Sequence, residues 1–179
     1  KADAEAYIKR LEGVAPLMAQ AVRRMATQEA KGIRPPRFVY GLVLEPCLNL
    51  ITGAPFEGGG DSPIFADFKG KVAKADLSDA DRADLIARGT AALQGGFAAG
   101  YRTLIAHLRT AEARADETAG VWKLPDGQTY YAAQLENYTT LPLKAADVHA
   151  LGLREVASIH DAMRAIMKQV DFAGDLQAF

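Results

Sequence analysis

Apolar residues in this chain recur at steps of three and four, and nowhere do they alternate for more than a few positions. From Asp3 to Glu29 the series Ile8, Leu11, Ala15, Met18, Val22, Met25 follows that spacing, which draws one stripe along an α-helix. Gly32 lies where a helix stop is expected. Pro35 and Pro36 suit the first turn of a second helix, where a missing N–H costs nothing. That helix should run to about Ile51 and be kinked or interrupted at Pro46. Residues 52–63, TGAPFEGGGDSP, form a loop by their glycine and proline content; the glycine run lacks the lysine and the strand-to-helix setting of a phosphate cradle. Ser78 followed by Asp81 resembles a capping box and opens a third helix to about Asp116, striped by Ile86, Leu93, Phe97, Tyr101, Leu104 and Leu108. Gly95, Gly96 and Gly100 weaken this helix by up to about 1 kcal/mol each relative to alanine. They predict a close backbone neighbour or a bend. A last helix, Ala145 to Val170, carries Val148, Leu151, Val156, Ile159, Met163 and Ile166. These patterns predict an all-α antiparallel helical bundle, residues 1–179 forming a single helical domain with one irregular aromatic turn segment.

The charge balance adds an exclusion. With 21 basic and 22 acidic residues the formal net charge is −1, so no basic field steers the chain toward nucleic acid or an anionic membrane. No apolar run approaches the roughly 18 residues a transmembrane helix needs. Cys47, the single cysteine, precludes an internal disulfide. The chain opens on Lys1 rather than methionine, which suggests a processed or trimmed piece of a longer product.

Candidate chemistry is sparse. His149 and His160 share a helical face but stand roughly 16 Å apart along the axis, too far to hold one metal ion, and no His-Glu-x-x-His spacing exists. His107, in LIAHLRT, has no ligand partner nearby in sequence. Ser62, Ser78 and Ser158 lack the Gly-x-Ser-x-Gly setting of a nucleophile elbow. Cys47 follows Pro46 on an apolar helix and reads as a small buried hydrophobe. No self-contained catalytic constellation or metal site is expected within these residues.

Residues 120–140, GVWKLPDGQTYYAAQLENYTT, break the alanine-rich rhythm. Pro125-Asp126-Gly127 is a turn, with proline presetting φ and glycine accepting positive φ. A helix should start near Gln128 with Asp126 capping it. Tyr131, Leu135 and Tyr138 then share one face, with Tyr130 on the adjoining one. On packing grounds the stretch reads as an aromatic plug, Trp122 covering the turn. The alternative is that the tyrosine hydroxyls and the Thr139-Thr140 pair face a cleft.

This stretch, followed by LPLKAADVHALGLREVASIHDAM, resembles the bacterial family known as domain of unknown function 885. The family pattern Gly-Leu-Trp-x-Leu-Pro-x-Gly-x-x-Tyr-Tyr, a Thr-Thr pair, then Glu-Ile-His-x-Leu-Gly-Leu-x-Glu-Val falls here on Gly120, Trp122, Leu124, Pro125, Gly127, Tyr130, Tyr131, Thr139, Thr140, His149, Leu151, Gly152, Leu153, Glu155 and Val156. The opening YIKRLEGVAPLMAQAV, the Gly-x-x-Pro-Pro restart and the Asp-Ser-Pro are similar in layout. One departure is Lys144-Ala145-Ala146-Asp147 where the family places Thr-Pro-Glu-Glu; lysine is a poor N-cap, so the helix is expected to fray or to begin earlier, with Thr140 capping.

The resemblance implies a longer, mostly helical protein of the bacterial envelope or periplasm, similar to gluzincin-type zinc metallopeptidases, whose zinc motif lies downstream of the Leu-Gly-Leu segment. It makes this chain the N-terminal helical lobe of a peptidase-like hydrolase, not catalytic alone. Its expected partners are the remainder of its own parent chain and a peptide substrate; zinc is expected in the parent and not here. The cleft-facing candidates are Tyr130, Tyr131, Thr139, Thr140 and His149. The competing reading is a stand-alone helical binding module.

Overall fold

The computed structural model describes residues 1–179 and is all-α. Its helices are α1 (Ala2–Glu12), α2 (Val14–Ala30), α3 (Arg37–Leu50), α4 (Pro63–Lys74), α5 (Asp79–Ala92), α6 (Ala98–Ala113), α7 (Gly127–Thr139) and α8 (Ala145–Gln169), with a π turn at Leu93–Phe97 and a 3₁₀ turn at Val121–Lys123. They fall into two compact units, Lys1–Gly120 and Val121–Phe179.

In the first unit, both long stripes of the sequence prove to be broken helices. The helix expected over Asp3–Glu29 stops at Gly13 and restarts at Val14. Pro16 explains the break: its ring has no N–H for the Glu12 carbonyl and crowds it. Beyond it α2 closes on a Schellman motif. Gly32 takes φ 76°, Ile33 N–H donates to Gln28 O and Gly32 N–H to Glu29 O, both at 3.0 Å, so the last carbonyls find partners. The helix expected over Ser78–Asp116 is interrupted at the π turn, where Gly95 leaves helical geometry (φ −85°, ψ −105°).

The two breaks lie side by side. A Cβ on Gly96 would stand 2.9 Å from Glu12 O, and one on Gly100 would stand 3.0 Å from Ala15 Cα. The glycines expected to admit a neighbour or mark a bend do both. From Lys1–Asp81 (2.6 Å) through Arg88–Glu5 (3.8 Å) to Arg114–Glu29 (2.7 Å), paired residues rise together in number, so the α1–α2 and α5–α6 arms run in the same direction. The helices between them return antiparallel. Arg37 at the start of α3 donates from its backbone to Asp116 O at 2.8 Å and from Nη2 to Ala115 O at 2.6 Å. Gly89 of α5 lies so close to Phe68 of α4 that a Cβ would strike the ring.

Two apolar clusters fill this unit. One joins Ile8 and Leu11 to Phe65, Phe68, Val72, Leu85, Leu93 and Phe97. The other joins Tyr40, Leu44 and Cys47 to Ile105, Leu108, Ala111 and Ala115. The α3 helix continues through Pro46 to Leu50. Ser62 and Ser78 cap α4 and α5, accepting from Phe65 N–H and Asp81 N–H at 3.4 and 3.1 Å. The 52–63 loop is pinned by Gln94 Nε2 donating to Pro55 O at 2.7 Å.

The second unit holds the 3₁₀ turn, α7 and α8. The α8 helix ends on Asp171 at φ 51°, with Phe172 N–H donating to Met167 O at 2.9 Å. Met167 is its only large apolar side chain that is buried, at 9% exposure.

Placing alanine at Gly100 should lower the unfolding free energy by roughly 1–3 kcal/mol, because backbone must move to admit the methyl group. At Gly70, on an open face of α4, alanine should raise it by up to about 1 kcal/mol. Urea titrations followed by circular dichroism read both.

Candidate functional site

The aromatic segment builds a groove within the second unit. Val121–Lys123 coil into the 3₁₀ turn, Leu124 N–H donating to Val121 O and Gly127 N–H to Leu124 O, each at 3.0 Å. The first residue of α7 therefore sits directly on the turn's backbone. A Cβ on Gly127 would collide with the Val121 carbonyl oxygen. The glycine is required for room rather than for positive φ; it is Asp126 that adopts the left-handed conformation, φ 56°, which aspartate tolerates better than most side chains. The Asp126 carboxylate makes no capping hydrogen bond to α7, contrary to the expectation from sequence.

Trp122 is not a plug. Its side chain is 72% exposed and forms one wall of the groove, whose volume is about 630 Å³. Tyr131, Leu143, Lys144 and His149 line the rest. Of the five residues singled out in the sequence, the fold brings Tyr131 and His149 to this groove. Tyr131 reaches it from the second turn of α7, and His149 from the second turn of α8. Tyr130, one position round the helix, is 55% exposed and does not line it.

Thr139 and Thr140 end a helix. Thr139 Oγ1 donates to Leu135 O at 2.7 Å and accepts Leu141 N–H at 3.3 Å. Thr140 occupies the left-handed region at φ 59°, uncommon for a β-branched residue, and closes α7 through its N–H to Glu136 O at 2.7 Å. The pair turns the chain into Leu141–Lys144. The α8 helix then starts at Ala145 behind Lys144, which supplies no side-chain cap; Thr140 does not extend it backward.

Chemically the groove offers an indole face, a phenol, an imidazole and an ammonium group around apolar walls. It holds no carboxylate or thiol. Cys47 lies elsewhere, 8% exposed, and burial pushes its thiol up from the usual range, which suppresses the thiolate. No group of three or more His, Cys, Asp or Glu side chains converges on a point that could hold a metal ion. No helix is long and apolar enough to cross a membrane.

The rest of the second unit is notable for what stays uncovered. Along α8 the apolar stripe Leu151, Val156, Ile159, Ile166 and Val170 is exposed, Ile159 at 55%. Tyr138, at 84%, and Leu141 are exposed as well. The sequence showed the α8 residues as an apolar stripe; periodicity shows that a face is apolar but not what covers it.

Comparison with known proteins places this geometry. The profile of a family described as bacterial protein of unknown function (DUF885) matches residues 1–179. The crystal structure of the putative lipoprotein from Colwellia psychrerythraea shares the fold with a TM-score of 0.82 at 21% identity, over 96% of this chain. The match spans 29% of that protein's own chain. No curated protein matches.

Two substitutions test the groove. Gly127→Ala should cost roughly 1–3 kcal/mol and change the tryptophan emission, because the turn carrying Trp122 must move. Trp122→Ala should stay within about 0.5 kcal/mol of the parent chain's stability, which chemical denaturation measures.

Proposed function

The chain belongs to the bacterial DUF885 family, and we propose that it is the N-terminal helical lobe of a larger peptidase-like hydrolase of the bacterial envelope, with the bond-cleaving residues supplied by chain outside residues 1–179. The observation that carries this reading is the bare apolar face of the second unit. A unit of this size cannot hold itself together with one buried large side chain, and an extensive exposed apolar surface marks an interface. The remainder of the parent chain is the occupant proposed for that face. The solved relative, whose chain is more than three times as long as the part matched, supports this, and its description as a putative lipoprotein supports the envelope assignment.

In this reading the groove at Trp122, Tyr131 and His149 forms one wall of a peptide-binding cleft, with the opposite wall and the zinc site contributed by the remaining chain. Tyr131 and His149 offer hydrogen bonds to a peptide backbone, and the indole face takes an apolar side chain. Tyr130, Thr139 and Thr140 act through the course of α7, not by contact with the peptide.

Residues 1–179 alone should bind an apolar dye strongly, bind no stoichiometric zinc and leave peptides intact. The longer gene product should bind zinc and cleave peptides, and Tyr131→Phe or His149→Gln in it should raise KM more than they lower kcat. A 1–179 chain that melts cooperatively as a monomer and excludes the dye would instead favour a stand-alone binding module.

A further inference from the structure

A second, separate pocket lies wholly in the first unit, where α2, α3 and α6 meet. A cavity of about 270 Å³ is walled by Met25, Val39, Tyr40, Val43 and Leu108. Beside it a more open depression is lined by Arg34, Thr110 and Arg114. Glu29 and His107 border both, so apolar and charged compartments share one boundary.

The charges at that boundary are unevenly satisfied. Arg114 Nη2 donates to Glu29 Oε2 at 2.7 Å, and His107 Nε2 stands 3.3 Å from Glu29 Oε1. Glu29 and His107 are nearly enclosed, with side chains 11% and 14% exposed. The His107 approach is off the line a hydrogen bond requires, and Nε2 is buried without a partner, as is Arg34 Nε. Arginine carries only donors, so a further partner for Arg34 is an acceptor. One carboxylate against two arginines leaves the lining net positive. Those charges reach the cavity wall: burial chiefly raises the Tyr40 phenol, Glu29 and more weakly Glu112 add to the rise, and Arg34 and Arg114 oppose it.

We propose that this pocket binds a carboxylate with an apolar tail, the tail entering the cavity between Val39, Val43 and Leu108 and the carboxylate meeting the Arg34 guanidinium. Glu29 does not repel it as a bare charge, because Arg114 already holds Glu29 by a charge-assisted bond. The small cavity fits one side chain or a short alkyl chain, and at its rim the Arg34 and Arg114 guanidinium groups outnumber the Glu29 carboxylate. Two sources share this chemistry, a free medium-chain acid and the C-terminus of a peptide ending in an apolar residue.

Isothermal titration calorimetry on residues 1–179 tests it with octanoate against octanamide, and N-acetyl-leucine against its amide. At least one acid should bind saturably and about tenfold or more tighter than its amide. Octanoate alone identifies a free acid, and N-acetyl-leucine alone or in addition identifies a peptide terminus. Arg34→Gln, at a half-buried position outside the helices, should abolish the preference for acid over amide. Val43→Phe should block the cavity and weaken acid and amide alike. Unchanged helical circular dichroism verifies that both variants fold. No saturable binding of either acid, equal affinity for acid and amide, or an Arg34→Gln variant with its preference intact would overturn the proposal.

Discussion

Everything in the first unit depends on one backbone-to-backbone approach. Glu12 to Ala15, at the break between α1 and α2, lies against Gly96 and Gly100, at the start of the second arm. Side chains are absent from the contact, and the separation is set by bare Cα atoms. Pro16 opens one arm and Gly95 opens the other, so two bent rods touch at their bends. The lower halves then enclose the Phe68 and Leu85 core, and the upper halves enclose the Tyr40 and Leu108 core with α3. A methyl group at Gly96 or Gly100 would separate both cores at once. Glycine's helix cost of about 1 kcal/mol is accepted at these positions because close packing elsewhere depends on it.

The second unit follows a different logic. Its turn is exact where Gly127 meets Val121, and its helices are well formed, yet it buries almost nothing. Local hydrogen bonds define its shape, and its apolar side chains point outward. Such a surface is stable in a larger assembly and poorly supported without one, because helix propensity alone seldom sustains helices of this length. The family membership and the 29% coverage of the solved relative are consistent with a chain whose remaining segments complete that surface.

Much of this was legible in the residues. Periodicity located the stretches of the other long helices but not α4, Pro63–Lys74, and α8 was bounded to within a residue of Ala145–Gln169. Ser78 was readable as a cap because capping is local chemistry. The break at Gly13 was signalled by Pro16 but hidden by a stripe that continues across it. The π turn was only partly legible: three glycines signalled a bend, not its geometry. Trp122 misled because burial is a tertiary property; a large aromatic beside a tight turn is buried only if something lies over it. The Glu29–His107–Arg114 cluster had no local signal at all, since its members are brought together from two arms far apart in sequence. Within the candidate groove, Tyr131 and His149 were reachable from the aromatic motif, whereas Thr139 and Thr140 prove to be helix-ending residues whose hydroxyls are taken up by the backbone.

The central claim is that the apolar face of α8 is covered by chain outside residues 1–179. Hydrogen exchange of the α8 amides, followed by mass spectrometry in residues 1–179 and in the longer gene product, tests it most directly. The account predicts rapid exchange across Leu151–Val170 in the shorter chain and protection of the same amides by at least about a hundredfold in the longer one, since amide protection tracks local stability. Equal exchange in the two proteins would contradict it.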